Sequence, residues 1–117
     1  MSAITATLYA VLTFTVTAYA PAAGGINGDA ITADGSHVAM GMAACGPSFA
    51  FGTMFDVPGF GVVTCHDRGG WITDRNIDLC IYTGNAKADR AAAMKWGKRR
   101  VRVGVSQPVS RSGRKTQ

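Results

Sequence analysis

The sequence predicts an all-β protein built on a small barrel, with one short helix. Three observations predict this class: an N-terminal stretch with a period of two, a series of short β-prone runs separated by glycine and proline turns, and one segment of helical composition. The 117 residues suffice for one domain. Because 47% of the residues are hydrophobic and 16% charged, with 15 glycines, the composition favours a compact, loop-rich β protein over a disordered or helical chain.

The N-terminal stretch "MSAITATLYAVLTFTVTAYAP" has the alternation of a half-buried strand. Apolar residues fill the even positions, namely Ile4, Ala6, Leu8, Ala10, Leu12, Phe14, Val16 and Ala18. The odd positions are mostly Thr or Tyr. We therefore expect one strand from Ile4 to Tyr19, about three times the usual five or six residues.

The same stretch has some features of a signal peptide, since it is apolar and contains "AYA". However, no Lys or Arg lies near Met1, a proline would follow the cut, and threonines interrupt the apolar run. We expect no clear cleavable signal peptide. We also expect no membrane span, because no apolar run approaches the roughly 20 residues that a spanning helix needs.

The remaining elements follow from turn and cap residues. "PAAGGINGDAITADGSH" predicts a loop, "VAMGMAAC" an extended stretch, and "CGPSFAFGTMFDVPGFGVVTCHD" a hairpin-like pair of strands. "NIDLCIYTG" predicts a buried strand, and "NAKADRAAAMKWG" a helix capped by Asn85 and ended by Gly97. "KRRVRVGVS" predicts a last strand, and "QPVSRSGRKTQ" a polar tail.

Charge is concentrated at the C-terminal end. Eight of the twelve positive residues are Lys95, Lys98, Arg99, Arg100, Arg102, Arg111, Arg114 and Lys115. Without them the net charge of +5 becomes −3 for the rest of the chain. The basic character therefore belongs to the last stretch, and we expect no specific nucleic-acid partner.

Three cysteines, Cys45, Cys65 and Cys80, form no C-x-x-C pair, and only His37 and His66 could join them as ligands. This spacing predicts neither a structural metal nor a cofactor. Cys45 and Cys65 both lie at strand ends beside turns, so we expect them to form a disulfide. Cys80 lies inside the run "DLCIY" and is expected to pack as a small hydrophobe.

"CHDRGGWITDRNID" places carboxylates at Asp67 and Asp78, around a glycine pair. Asp67 ends one predicted strand and Asp78 begins another, so both can meet at a barrel rim. The alternative is that both aspartates only cap turns, as Asp commonly does.

From about Phe14 to Val105 the chain resembles the three-aspartate (3D) domain, and is similar to the catalytic barrel of membrane-bound lytic transglycosylase A. The resemblance lies in "FTVTAYAP", "TADGSHVAMGMAAC", "FGTMFDVPGFG", "CHDRGGWITDRNIDL" and "MKWGKRRVRVGV", in that order. "DRGGWITDRNID" is the most specific match. The family's remaining aspartate is replaced here, since "AACGP" places Cys45 or Gly46 at its position. The fold that the resemblance implies is a six-stranded double-psi β-barrel.

The resemblance implies lytic cleavage of the MurNAc–GlcNAc bond in peptidoglycan, giving 1,6-anhydro ends. Asp78 is expected to act as general acid and base, with a pKa raised by burial against Trp71, Ile77 and Tyr82 and by the charge of Asp67.

Four further residues are expected to bind the glycan. Gly69 and Gly70 would let it approach the backbone. Tyr19 and Trp71 would stack on sugar rings, although each could equally pack in the core. The site of action would be extracytoplasmic, in the cell wall or periplasm.

Two rival interpretations stay open: a structural or assembly subunit, for instance of a phage tail and hence virion-associated, and an expansin-like glycan binder without turnover. We divide the chain into an N-terminal strand extension (1–11), a barrel domain (12–105) and a basic C-terminal tail (106–117). The extension is expected to pair with another subunit or to fold back onto its own sheet.

Overall fold

The structure is a computed structural model that describes residues 5–26 and 28–110. These residues form a closed six-stranded β-barrel with one α-helix, which confirms the predicted mostly-β class. The strands are β1 (Thr5–Tyr19), β2 (Met42–Cys45), β3 (Met54–Val57), β4 (Gly61–Asp67), β5 (Asn76–Cys80) and β6 (Arg99–Ser110). The helix is α1 (Ala86–Trp96), and one 3₁₀ turn (Pro21–Gly24) follows β1.

Around the barrel the strands run in the order β1, β5, β2, β4, β3, β6, and β6 closes onto β1. The β1–β5 and β2–β4 pairs are parallel, and the other pairs are antiparallel. β3 and β4 form the expected hairpin, joined by the turn at 58–60. β2 separates β4 from β5, so the two strands that carry the aspartates are not direct neighbours.

The barrel interior is apolar and closely packed. Three phenylalanines, Phe14, Phe49 and Phe55, meet with ring centroids 5.6 to 5.8 Å apart. The core contains Phe14, Val16 and Ala18 of β1 and Ile77 and Leu79 of β5, which follow the predicted period of two. The odd residues 15, 17 and 19 of β1 and Asp78 of β5 consequently lie on the outer face.

Residues 5–11 pair with residues 104–110 of β6 in the same chain. β1 is therefore one continuous strand across the predicted boundary at residue 11. Residues 106–110 continue β6, although the sequence analysis places the start of the tail at residue 106. Residues 1–4 and 111–117, with the basic residues Arg111, Arg114 and Lys115, lie outside the described residues.

Helix α1 has the ends that the sequence predicts. The Asn85 side chain accepts a hydrogen bond from the N–H of Ala88 at 3.0 Å, and Gly97 ends the helix with a φ of 68°. Trp96 is buried and donates from Nε1 to the carbonyl of Val16 at 3.0 Å. This bond ties the end of the helix to β1.

A disulfide joins Cys45 of β2 to Cys65 of β4, the pair expected from the sequence, with Cα atoms 5.8 Å apart. Cys80 is a free, buried thiol. Within the described ranges, no helix is both long and apolar enough to span a membrane.

Candidate functional site

Asp67 and Asp78 share one face of the barrel wall, with Ala44 of β2 between them. Ala44 is in register with Asp67 on one side and with Asp78 on the other. Residues in register across a sheet point to the same face, and two strand spacings place their Cα atoms about 10 Å apart. Because Ala44 carries only a methyl group, no bulky side chain separates the two carboxylates.

A β-bulge at His66 places Asp67 on this face. Ala43 pairs with Cys65, but the next residue, Ala44, pairs with Asp67 and not with His66. Cys65 points into the core, so in a regular strand Asp67 would point inward too. The extra residue reverses that orientation, a known effect of bulges beside functional sites.

Asp78 is the third residue of β5, so it lies within a strand and not at its start as the sequence suggested. Its Oδ1 accepts a hydrogen bond from the Thr17 hydroxyl of β1 at 2.8 Å. Burial raises the pKa of Asp78, the Thr17 bond opposes this, and the charge of Asp67 adds to the increase. This is the direction of the pKa shift that the sequence analysis expects.

The predicted cause of that burial is wrong for two residues. Trp71 is 93% exposed, and Ile77 points to the opposite face, into the core. Asp78 is instead partly buried within the sheet itself, between Thr17 of β1 and Ala44 of β2.

Asp67 is held by backbone groups. Its Oδ1 accepts from the N–H of Ala33 at 3.0 Å and from the N–H of Arg68 at 2.9 Å. The first of these bonds fixes the loop between β1 and β2 against the end of β4. A small cleft of about 90 Å³, lined by Asp67 and Tyr19 among others, lies under this loop.

Tyr19 is half-buried at the end of β1, in register with Cys80 of β5. Burial is the largest cause that raises the pKa of Tyr19, followed by Cys80 and the charges of Asp67 and Asp78. Burial likewise raises the pKa of the Cys80 thiol. Both groups therefore stay protonated near neutral pH, and the Tyr19 hydroxyl forms a hydrogen bond with the Cys80 thiol.

The β4–β5 loop carries the other predicted glycan-binding residues. Trp71 projects into solvent, where its ring is accessible. A Cβ on Gly70 would meet no atom within 4 Å, whereas one on Gly69 would lie 2.9 Å from Ile72. A side chain at position 69 would therefore clash with Ile72, which explains the glycine without a ligand. The glycan-binding roles of Gly69, Gly70 and Trp71 stay predictions.

Arg68 is a structural residue. Its guanidinium donates from Nη2 to the Phe49 carbonyl at 2.8 Å and from Nη1 to the Gly46 carbonyl at 3.2 Å. It also contacts both disulfide sulfurs and lies 4.2 Å from the centre of the Phe51 ring. Arg68 thereby fastens the β2–β3 loop to the end of β4, immediately after Asp67.

Ser36, His66 and Asp34 form a second polar cluster, but they do not form a catalytic triad. The Ser36 hydroxyl and the Asp34 carboxylate both contact Nδ1 of His66. A triad needs the serine at one ring nitrogen and the carboxylate at the other. In the described ranges no three His, Cys, Asp or Glu side chains are grouped as metal ligands.

Comparisons with known protein families, curated proteins and solved structures find no match to this chain.

The site therefore combines a partly buried carboxyl group with a raised pKa, a second carboxylate on the same face, and the hydroxyls of Thr17 and Tyr19. Sequence reasoning missed Thr17 and the Ala33 N–H. The alternation in β1 placed Thr17 on the outer face, but its contact with Asp78 depends on the β1–β5 register, which the sequence does not reveal.

Proposed function

We propose that this chain is a peptidoglycan lytic transglycosylase with a 3D-like, double-psi barrel, and that Asp78 is its general acid and base. The single observation that carries the proposal is the setting of Asp78: a partly buried carboxyl group with a raised pKa, one strand away from Asp67 on the same face. The pattern in "DRGGWITDRNID" agrees with this choice of residues.

The double-psi topology is part of the proposal. Two observations support it: six strands close the barrel, and the two parallel pairs, β1–β5 and β2–β4, require connections that cross the barrel. The same connections bring Asp67 and Asp78 to one face although β4 and β5 are not adjacent.

In the proposed reaction Asp78 begins protonated and donates its proton to the glycosidic oxygen as the C1–O bond breaks. An oxocarbenium-like state forms at C1 of the MurNAc residue. Asp78, now a carboxylate, takes the proton of the sugar's own 6-hydroxyl, and that oxygen bonds to C1. The product is a 1,6-anhydro ring, and no water is consumed.

The neighbours of Asp78 have distinct roles in this scheme. Thr17 occupies Oδ1, which leaves Oδ2 for the substrate and steadies the carboxylate after proton transfer. Asp67 raises the pKa of Asp78 and offers negative charge to the oxocarbenium-like state. Tyr19 supplies a neutral donor, and Trp71 an accessible ring for a sugar.

The test is to incubate purified cell-wall sacculi with the wild type and with Asp78→Asn and Asp67→Asn variants. Asp78→Asn should abolish release of muropeptides, because an amide cannot shuttle the proton, while the fold stays intact. Asp67→Asn should retain partial activity. Unimpaired release by Asp78→Asn would remove Asp78 from the mechanism, and an inactive Asp67→Asn beside an active Asp78→Asn would reverse the assignments.

In the expansin-like alternative the protein binds the glycan but does not cleave it. It predicts that the wild type binds sacculi yet releases no muropeptides. The proposed partner, peptidoglycan, and the extracytoplasmic site of action are common to both functions, so binding alone does not separate them.

A second candidate function is that of an assembly subunit. It is favoured by the N-terminal part of β1, whose edge on the β5 side has no partner strand among the described residues. β1 pairs with β5 only from Thr15 onward, and the N–H of Thr15 points towards the β5 side. By the period of two, the N–H groups of Thr13, Val11 and Tyr9 point to the same side, where the described residues provide no partner strand.

This edge lacks the features that usually prevent strand addition. The chain has no charged residue before Asp29 and no proline before Pro21. Tyr9 and Val11 are also exposed, at 66% and 45%. We propose that the edge adds a strand from another subunit, as in a virion-associated assembly.

Val11→Pro tests this candidate, because it removes one N–H from the free edge and none from the β1–β6 ladder. Val11→Ser is the matched control, since it loses the apolar side chain but keeps the N–H. By light scattering, the wild type and Val11→Ser should be oligomeric, and Val11→Pro should dissociate. A monomeric wild type, or an unchanged Val11→Pro oligomer, would contradict the assembly function.

A further inference from the structure

A second cleft lies away from the carboxylates. Its volume is about 240 Å³, and it is bounded by α1, the β3–β4 turn and the start of β6. Its apolar walls come from Met40, Phe60, Ile81 and Trp96, and the Phe60 and Trp96 rings meet edge to face at 5.7 Å. We call this the α1 cleft. It shares no lining residue with the cleft beside Asp67.

A fixed cation stands at the rim of the α1 cleft. The Arg99 guanidinium lies 3.9 Å from the centre of the Trp96 ring. Its Nε donates to the Trp96 carbonyl at 2.9 Å, and its Nη2 donates to the Lys95 carbonyl at 3.4 Å. These bonds hold Arg99 at the negative end of the helix, so little side-chain entropy remains to be lost on binding an anion.

One nitrogen of this guanidinium is left for a ligand. Nη1 of Arg99 makes no hydrogen bond within the described part of the chain, and it lies 3.6 Å from where a Cβ on Gly59 would be. Gly59 has a φ of 83°, which favours glycine, and its missing side chain leaves this space open. Lys95 adds a second cation, and no carboxylate of the described residues lines the cleft.

We propose that the α1 cleft binds a small carboxylate with a flat apolar body, such as an arylalkanoate. The carboxylate would accept hydrogen bonds from Nη1 of Arg99 and from Lys95, and the body would pack on Trp96 and Phe60. This site is separate from the proposed glycan site and does not depend on it.

Phenylacetate is the probe, and phenylacetamide is its neutral counterpart. The readout is the indole N–H resonance of Trp96 in ¹⁵N-labelled protein, assigned with a Trp71→Phe variant. For a ligand of this size we expect a Kd on the order of 1 mM for phenylacetate. Phenylacetamide should bind about tenfold more weakly, since it loses the charge-assisted hydrogen bonds.

Two variants and a control locate the binding. Arg99→Gln should weaken phenylacetate binding about tenfold or more. Ala92→Leu fills the cleft from an exposed helix position, keeps the helix propensity, and should abolish the Trp96 shift. Arg100→Gln is the control, because Arg100 is also exposed, belongs to β6 and does not line the cleft.

No saturable shift at about ten times the expected Kd would overturn the proposal. Equal binding of the acid and the amide, or unchanged binding by Ala92→Leu, would do so too. If Arg99→Gln fails to fold, Ala92→Leu together with the acid–amide comparison decides the matter.

Discussion

Replacing Arg68 by alanine should strongly destabilise the protein. The substitution removes charge-assisted hydrogen bonds to the Phe49 and Gly46 carbonyls and a ring contact with Phe51. Two such anchoring bonds, at about 1.5 kcal/mol each, give a loss of roughly 3 kcal/mol. For a domain of this size that corresponds to a decrease in Tm of about 10 °C or more.

The assay is thermal unfolding followed by circular dichroism, with Arg75→Ala as the matched control. Arg75 is exposed on the same loop, so its substitution should change the free energy of unfolding by about 0.5 kcal/mol or less. Arg68→Lys should lie between the wild type and Arg68→Ala, because lysine keeps the charge but cannot reach two carbonyls at once. If Arg68→Ala and Arg75→Ala melt alike, Arg68 does not fasten the β2–β3 loop.

Three further predictions concern stability. Reducing the Cys45–Cys65 disulfide, which closes a loop with a sequence separation of 20, should cost about 3 kcal/mol and lower the Tm in calorimetry. Gly46→Ala should cost about 1–3 kcal/mol in denaturant titrations, since its Cβ would lie 2.5 Å from the β4–β5 loop backbone, whereas Gly70→Ala should be nearly neutral. Because the folded-state pKa of Asp78 is raised, the native state loses stability as the pH rises from about 4 through that pKa. The Tm of Asp78→Asn should therefore increase relative to that of the wild type between pH 4 and pH 7. A difference in Tm that stays the same over this range would contradict the raised pKa.

Local signals made much of the fold predictable. The alternation in β1 separated inner from outer residues, and the cap residues Asn85 and Gly97 fixed both ends of α1. The glycine and proline turns located the β3–β4 hairpin. Each of these features depends on residues close together in sequence, so propensity and periodicity are sufficient to indicate it.

The arrangement of the site depended on contacts that are distant in sequence. Neither the insertion of β2 between β4 and β5 nor the bulge at His66 has a local signature, yet together they place Asp67 and Asp78 on one face. Trp71 was expected to bury Asp78 because it is aromatic and near in sequence, but its loop turns it into solvent. Likewise, the role of Arg68 depends on the Gly46 and Phe49 carbonyls of a different loop.

The most direct test of the proposed chemistry is the mass of the glycan ends released from sacculi in H₂¹⁸O. We predict 1,6-anhydro-muropeptides without ¹⁸O from the wild type, since the sugar's own 6-hydroxyl closes the ring, and no release by Asp78→Asn. Reducing ends that carry ¹⁸O would identify a hydrolase and contradict the proposed closure. The absence of released muropeptides from the wild type would contradict catalysis altogether.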